Sequence, residues 1–255
     1  MQPTQTRGLV LRAAPAGEND RLVTVLTEDA GVLRAFARNS RRAKSRLVSA
    51  TQPFCYARMW ILARRSGSYL ITEAQPLEVF FELREDLGRL ALAQYFCEVA
   101  QTLAPPGESA AQFLNFLRGT LKLLCRDPRR PLPIVKAAFE MRILSMAGYM
   151  PDLIGCAQCR RYAAETMYFY PQEGHLLCPA CREAARNSGG IGLHPGGLTA
   201  LRHTVYADLP KLFAFTLGES GQKELARASE AYLLAQLERG FQTLHFYHEV
   251  SNCPD

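Results

Sequence analysis

Four cysteines form the clearest chemical pattern in this chain of 255 residues. They make two Cys-x-x-Cys pairs separated by eighteen residues, and they are Cys156, Cys159, Cys178 and Cys181. A Cys-x-x-Cys turn presents two thiolates from one tight knuckle, and two such knuckles complete the tetrahedral shell that Zn²⁺ prefers. A closed shell of four thiolates leaves no position for water or substrate. The spacing therefore predicts one structural zinc ion, with no catalytic role for the metal.

Two other interpretations of the cysteines stay open in the sequence. A Cys-x-x-Cys pair can be a redox couple, although neither pair is surrounded by the strand and helix pattern of a thioredoxin. His175 can replace one cysteine as a metal ligand, although four thiolates already fill the shell. Residues 166–170 and 175–177 flank a Pro-Gln-Glu-Gly turn, as the strands of a hairpin do, so we expect the cysteines to lie on a zinc ribbon.

A second chemical pattern is a run of positive charge near the N-terminus. The net charge is only +6, from 30 Lys and Arg against 24 Asp and Glu. Residues 1–80 hold 12 basic and 6 acidic side chains, whereas residues 81–255 hold 18 of each. Residues 30–72 hold nine basic side chains and no acidic one. The excess of charge is therefore local, and such a surface is typical of proteins that bind the phosphates of nucleic acid.

Aromatic rings accompany these cations. Residues 32–38 alternate as in a strand, so Arg34, Phe36 and Arg38 share one face, and residues 39–46 follow as a loop with four more cations. Cations track phosphates and aromatic rings stack on unpaired bases, which favours binding of single strands with little sequence preference. We therefore expect DNA contacts from Arg34, Phe36, Arg38, Arg41, Arg42, Lys44 and Arg46.

Each part of this nucleic-acid hypothesis has an alternative. The basic loop can be a charge run that only keeps the protein soluble. In residues 54–63, Phe54, Tyr56 and Trp60 share a face, and these rings can fill the interior of a barrel instead of stacking on bases.

The hydrophobic pattern indicates the elements that position these residues. Five stretches rich in Val, Leu, Ile, Thr and aromatic residues are separated by turns, and they are residues 8–14, 21–27, 32–38, 54–63 and 69–74. This pattern predicts a small closed barrel of the oligonucleotide-binding (OB) type, with a sandwich as the alternative. From residue 77 the period becomes helical, over residues 77–103, 108–125, 134–146, 197–217 and 222–241.

The sequence thus predicts an α+β multidomain protein. An OB-fold barrel over residues 1–78 is followed by an all-helical domain in two parts, residues 79–151 and 187–255, with the zinc ribbon embedded between them at residues 152–186. No apolar run approaches the roughly 18 residues that span a bilayer, and the N-terminus lacks a signal peptide, so we expect a cytoplasmic protein with no membrane partner. Phosphate-binding loops, dinucleotide fingerprints and hydrolase motifs are missing from the sequence, so we expect no enzymatic activity.

The N-terminal motifs resemble those of RecO, a family of bacterial DNA repair and recombination mediators. The resemblance lies in residues 6–12, 17–20, 26–31, 37–46 and 52–54. The two cysteine pairs, with Gly-His-Leu-Leu leading into the second pair, are similar to those of zinc-bearing members. One departure is Asn-Ser at positions 39 and 40, where the family commonly has Lys-Gly, which removes one charge but leaves four cations in the loop.

The resemblance implies a protein that binds single- and double-stranded DNA and anneals complementary strands. It implies that RecR, and often RecF, works with this protein to load RecA onto strands coated by single-strand-binding protein, in the cytoplasm and on the nucleoid during repair. It also implies that the acidic tail of single-strand-binding protein docks on the helical domain. Basic residues surround an apolar helix there and are expected to receive this tail: Arg129, Arg130, Lys136 and Arg142. Ordinary surface charge beside a core helix is the alternative.

Two functions from other classes remain as alternatives to a DNA repair mediator. One is a zinc-ribbon module that binds RNA or associates with transcription, which predicts a preference for RNA. The other is an enzyme whose four cysteines perform redox chemistry, which predicts a readily formed disulfide instead of a tightly held metal.

Overall fold

Five strands near the N-terminus close into a barrel in the computed structural model, which describes residues 2–64, 67–186 and 188–251. They are β1 (Thr4–Ala16), β2 (Asp20–Thr27), β3 (Gly31–Ala37), β4 (Cys55–Ala63) and β5 (Tyr69–Val79). Their order around the barrel is β1-β2-β3-β5-β4, with β3 and β5 parallel and all other neighbours antiparallel. This is the arrangement of an OB-fold, so the predicted barrel is confirmed.

Alternation along each strand separates the inside of the barrel from the outside. Small and branched apolar side chains fill the interior, and they are Val10, Val23, Val25, Ala35, Ala37, Leu47, Ala50, Cys55, Ala57, Met59, Ile61, Ile71 and Ala74. Tyr56 and Trp60 point away from this interior because they alternate with Ala57 and Met59 on β4. The rings on this strand therefore do not fill the barrel.

The start of β3 needs a glycine. Gly31 has a φ of +63°, and a Cβ at this position would lie 2.0 Å from the carbonyl oxygen of Pro105. Any side chain would therefore displace the loop that follows the first long helix.

Seven helices and a second sheet form the rest of the described structure. The helices are α1 (Leu87–Leu103), α2 (Ala111–Arg126), α3 (Leu132–Met146), α4 (Pro179–Ala184), α5 (Pro195–Tyr206), α6 (Glu219–Leu237) and α7 (Gln242–Ser251). The second sheet has the order β6-β8-β7-β9, formed by β6 (Asp152–Cys156), β7 (Met167–Tyr170), β8 (His175–Leu177) and β9 (Ile191–Leu193). Among the described residues, no helix combines the length and apolar character needed to cross a membrane.

These elements belong to two compact units. One comprises Met1–Pro128 and Gln242–Asp255, so the barrel, α1, α2 and α7 are grouped together. The other is Arg129–Phe241, which holds the second sheet and α3 to α6. The grouping differs from the division expected from sequence, which separated the barrel from all helices. In the first unit, α7 packs on α1, and the hydroxyl of Thr243 donates to Glu98 at 2.6 Å.

The structure corrects the sequence prediction at several places. Residues 207–217, expected to be helical, hold only a short 3₁₀ helix at Leu209–Lys211. Residues 77–79 were expected to begin a helix, but they continue β5 past Pro76, because Glu78 and Val79 pair with Tyr56 and Cys55 of β4. After a short 3₁₀ helix (Phe81–Arg84), α1 begins at Leu87, where the Asp86 side chain accepts a hydrogen bond from the Arg89 backbone N–H at 2.8 Å. The sequence also gave no separate prediction for α7.

A buried ionic cluster joins α3 to α6 in the second unit. The ammonium group of Lys136 lies 2.8 Å from Glu140 and 2.7 Å from Glu230, and the hydroxyl of Ser229 donates to Glu140 at 2.6 Å. Lys136 and Glu140 are almost completely buried. Burial opposes the charge on Lys136, but the two carboxylates raise its pKa above the ordinary lysine value. The charged state is thus the stable one, provided that all three ionic groups are present.

We predict that Lys136→Met destabilises the second unit by about 3–5 kcal/mol, because it removes the ammonium group that lies against the buried carboxylate of Glu140. The measurement is the free energy of unfolding from urea denaturation. The matched control is Lys223→Met, which breaks the exposed pair with Glu219 and should leave the free energy of unfolding nearly unchanged. Equal losses for the two variants would contradict this prediction.

Candidate nucleic-acid interface and metal centre

The outer face of β3 and the loop after it carry the predicted DNA-binding residues. The structure exposes all seven of them, namely Arg34, Phe36, Arg38, Arg41, Arg42, Lys44 and Arg46. None of their cations is paired with a carboxylate among the described residues, so this surface keeps its positive potential. Arg65, one of the nine cations of residues 30–72, lies outside the described residues.

The basic loop, residues 38–54, is held against the barrel from within. Leu47 and Ala50 belong to the barrel interior, and the buried hydroxyl of Ser40 donates to the carbonyl of Ala37 at 2.7 Å. The Arg21 side chain donates to the carbonyl of Val48 at 3.0 Å and to the hydroxyl of Thr51 at 2.9 Å. The cations between Ser40 and Leu47 are therefore carried by a folded loop and not by a loose tail.

A row of residues across three strands adds a cation that sequence reasoning missed. Arg12 of β1 is paired with Thr24 of β2, and Thr24 is paired with Arg34 of β3, so the three side chains share the outer face. Arg12 is exposed. The sequence contained no signal for this neighbour because the register of β1 against β2 shifts at a bulge between Val10 and Arg12.

An apolar row lies beside these cations. Phe36 is opposite Leu22 of β2, and it is also a register partner of Leu70 on β5. The ring of Phe36 is 37% exposed, which leaves part of it accessible. A ring that is supported at its base and partly open on a basic surface is suited to stack against an unpaired base.

Another part of the outer face is covered by helix α2. The guanidinium of Arg118 lies 4.6 Å from the centre of the Tyr56 ring, and Glu78 is bound by Arg118 at 3.1 Å and by Lys122 at 2.6 Å. Tyr56 is buried by this arrangement, and Phe54 is buried as well. The predicted DNA-binding residues of β3 and the basic loop are not covered by this helix, since all of them are exposed.

The first cysteine pair lies on a knuckle at the end of β6. The backbone N–H of Arg160 donates to the carbonyl of Cys156 at 2.9 Å, and the N–H of Cys156 donates to the carbonyl of Arg161 at 2.9 Å. Gly155 precedes the knuckle, and a Cβ there would lie 2.9 Å from the carbonyl oxygen of Arg160. The tight turn that presents Cys156 and Cys159 thus depends on a glycine before it.

The second cysteine pair lies at the N-terminus of helix α4. Cys178 occupies the position just before this helix, and Cys181 lies in its first turn. The hairpin of β7 and β8 leads into it, as predicted from residues 166–177. His175 stacks on Tyr170 and is not part of the cysteine cluster, so four thiol groups form the donor set.

The four sulfur atoms have the spacing of a tetrahedral metal site. All lie within 4.8 Å of one another, and those of Cys159 and Cys178 are 3.6 Å apart. With metal–sulfur bonds of about 2.3 Å, the corners of a tetrahedron lie roughly 3.8 Å apart. A disulfide needs about 2.05 Å, so Cys159 and Cys178 are not bonded to each other, and the mutual spacing of four sulfurs fits a metal ion.

The pKa values of the cysteine thiols also favour a bound cation. Burial opposes the thiolate of Cys156, but backbone N–H groups of Cys159, Cys178 and Gln158 lower its pKa to about 6. Hydrogen bonds of Cys181 with the sulfurs of Cys159 and Cys178 raise its pKa to about 12. The thiols therefore resist losing all their protons together, and a divalent cation among them removes that conflict.

The predicted peptide-binding residues on α3 and just before it are placed differently from the expectation. Lys136 is buried in the ionic cluster with Glu140 and Glu230, and the apolar residues of this helix, such as Phe139, are also buried. Arg130 donates to the carbonyl of Phe213, and Arg142 donates to the carbonyls of Thr204 and Ala207. Only Arg129 of the four is exposed, so these residues do not together form the open basic surface that was expected.

The barrel and the cysteine cluster together define the class of this protein: an OB-fold protein with a separate four-cysteine ribbon. Family models for the N-terminal and C-terminal parts of recombination protein O match residues 1–80 and 84–245. The chain is 31% identical over 246 residues to DNA repair protein RecO of Acetivibrio thermocellus, covering 96% of each chain. It is 32% identical to the Desulforudis audaxviator protein of the same name, covering 98% of each. The chain belongs to the RecO family.

We predict that the protein, once freed of bound metal by chelation under reducing conditions, binds one Co²⁺ per chain and develops the strong thiolate-to-cobalt absorption of a four-thiolate site. Cys156→Ser should weaken this absorption, because it removes one of the four sulfur ligands. The measurement is a Co²⁺ titration followed by optical spectroscopy. The control is Cys125→Ser, which changes a cysteine of α2 outside the cluster and should leave the spectrum unchanged. Absence of thiolate-to-cobalt absorption in the wild type would contradict the site.

Proposed function

We propose that this protein acts in DNA repair by binding single- and double-stranded DNA on the open face of its barrel and annealing complementary strands. The observation that carries the proposal is the exposed, acid-free set of cations on β3 and residues 38–46. The membership of the RecO family supports the same function, since its relatives are named DNA repair proteins. No catalytic residue is needed for this activity.

The surface supplies two kinds of contact. The guanidinium and ammonium groups neutralise phosphates without reading bases, so affinity depends on salt and not on sequence. The ring of Phe36 adds a stacking contact for a single strand, worth about 1–3 kcal/mol for one base. Arg12 extends the positive row to β1 beside Arg34. These contacts leave the pairing edges of the bases free.

These contacts favour annealing because the cations screen the phosphate charges of both strands. Two complementary strands repel each other through their phosphates, and a cationic surface that holds both lowers this repulsion. Base pairing itself then provides the free energy for duplex formation. The protein contributes charge and proximity.

We further propose that the protein works with other repair proteins. By its resemblance to the family, it acts with RecR, and in some pathways with RecF, to help load RecA onto DNA coated by single-strand-binding protein. The acidic tail of that protein is the expected docking partner. The buried position of Lys136 argues against the α3 surface as its site, although Arg129 is exposed there.

We assign the metal centre to one structural Zn²⁺ held by Cys156, Cys159, Cys178 and Cys181. The ion would be the stabilising cross-link between the two knuckles of the ribbon. The four thiolates leave no open coordination position, so the ribbon residues have no part in a reaction. The fit between donor set, sulfur spacing and ionisation supports this assignment.

The direct test is an annealing assay with complementary oligonucleotides of mixed sequence. We expect stoichiometric protein to accelerate duplex formation, and we expect RNA of the same sequence to compete no better than DNA. No acceleration would overturn the proposed function. A clear preference for RNA would favour the alternative of an RNA-binding module.

The salt dependence of single-strand binding tests the interface itself. If about six cations contact phosphates, the plot of log K against log salt concentration should have a slope of about −4. The triple variant Arg41→Gln, Arg42→Gln, Lys44→Gln should reduce the magnitude of this slope by about two. The measurement is fluorescence anisotropy over a series of salt concentrations.

A variant with the same change of net charge serves as the control. Arg126→Gln, Lys211→Gln and Lys223→Gln remove three exposed cations outside the barrel. This second triple variant should leave the slope near its wild-type value. Equal slopes for the two triple variants would place the DNA contact outside residues 41–44.

A further inference from the structure

The turn between β1 and β2 is bound to the basic loop by backbone and side-chain contacts. The carboxylate of Asp20 accepts a hydrogen bond from the backbone N–H of Asn39 at 2.7 Å. The backbone N–H of Arg41 donates to the carbonyl of Asn19 at 2.9 Å, and its guanidinium donates to the carbonyl of Gly17 at 3.1 Å. The turn therefore contacts the loop where its run of cations begins.

Asn39 adopts a backbone conformation that needs this support. Its φ is +54°, in the left-handed region, where asparagine is tolerated better than most residues. The bond from its N–H to Asp20 fixes the chain at this point. The direction in which residues 40–46 leave β3 consequently depends on Asp20.

Arg21 holds the other end of the loop. Its two hydrogen bonds reach Val48 and Thr51, and Thr51 in turn donates to the carbonyl of Leu47 at 2.6 Å. Burial lowers the pKa of Arg21, and the nearby positive charge of Arg41 lowers it further. Asp20 and Arg21, consecutive residues of β2, thus bind the two ends of the part of the basic loop that carries the cations.

We propose that Asp20 and Arg21 are positioning residues for the DNA interface. They hold residues 39–51 in one conformation, so that the cations are already ordered when they contact the phosphates. This inference rests on the proposed function and deepens it. An ordered loop loses less conformational freedom on binding than a mobile one, so its cations contribute more affinity for the same charge.

The direction in which DNA affinity changes when Asp20 is substituted distinguishes a positioning role from a purely electrostatic one. A carboxylate beside a phosphate-binding surface repels DNA, so removing its charge alone should tighten binding. If its hydrogen bond orders the loop, removing the carboxylate should weaken binding instead. Asparagine removes the charge but keeps an oxygen that can accept the bond from Asn39, whereas alanine removes both.

We expect Asp20→Ala to bind a single-stranded oligonucleotide about threefold to tenfold more weakly than the wild type. Asp20→Asn should bind at least as tightly as the wild type. The control Glu18→Gln removes an exposed charge from the same turn and should also bind at least as tightly. Asp20→Ala binding as tightly as Asp20→Asn would overturn the inference.

A charge-neutral variant gives a second route to the same answer. Thr51→Val removes the hydroxyl that accepts from Arg21 and donates to Leu47, and it leaves every charge in place. We expect weaker DNA binding at low salt and trypsin cleavage within residues 38–46 that is faster than in the wild type. Unchanged affinity together with unchanged cleavage would contradict a positioning role.

Limited trypsin digestion without DNA keeps this inference distinct from the proposed function. Asp20→Ala should accelerate cleavage in the basic loop, whereas Asp20→Asn should not. If cleavage follows this pattern but the wild-type salt slope does not depend on residues 41–44, the loop is positioned as inferred and the proposed DNA interface fails. If the slope depends on those residues and cleavage is unaltered in Asp20→Ala, the positioning inference fails alone.

Discussion

Closure of the barrel by the pairing of β1 with β4 is the constraint on which the exposed basic face depends. The pairing runs from Thr4 with Ile61 to Leu9 with Tyr56. A closed five-stranded barrel has a narrow interior, so each strand must turn its smaller apolar residues inward. Arginines and aromatic rings on the alternate positions are consequently forced outward. The outer face is then divided between contact with α2 and an open basic side.

The protein uses its positive residues in two different ways. On the barrel, cations such as Arg34 and Lys44 are exposed and have no carboxylate partner among the described residues. Beyond the barrel, arginines satisfy backbone carbonyls: Arg89 donates to Leu124 and Pro128 at the end of α2, and Arg202 donates to Leu153, Ile154 and Tyr162. This structural use accounts for many basic residues in the electrically balanced part of the chain.

Much of the fold and of the metal centre could be predicted because their signals are local. Strand alternation indicated the five strands and the outward face of Arg34 and Phe36, and cysteine spacing indicated the cluster. The missed features depend on distant partners. Arg12 joins Arg34 only through strand register, and Lys136 is buried only because α6 brings Glu230 to α3. A lysine beside an apolar helix face gives the same sequence pattern whether it is solvated or paired inside.

The basic loop consists of two parts that tolerate change differently. The side chains of residues 41–46 are largely exposed, so substitutions among them leave the strands undisturbed. Leu47 and Ala50 are packed in the barrel interior, and Phe54 ends the loop in a left-handed conformation, with a φ of +64°, while its side chain is buried. An insertion there would shift the start of β4 and with it the closing strand pair. Under the proposed function, substitutions that change DNA affinity can therefore accumulate in the first part of the loop, while the second part keeps a fixed length.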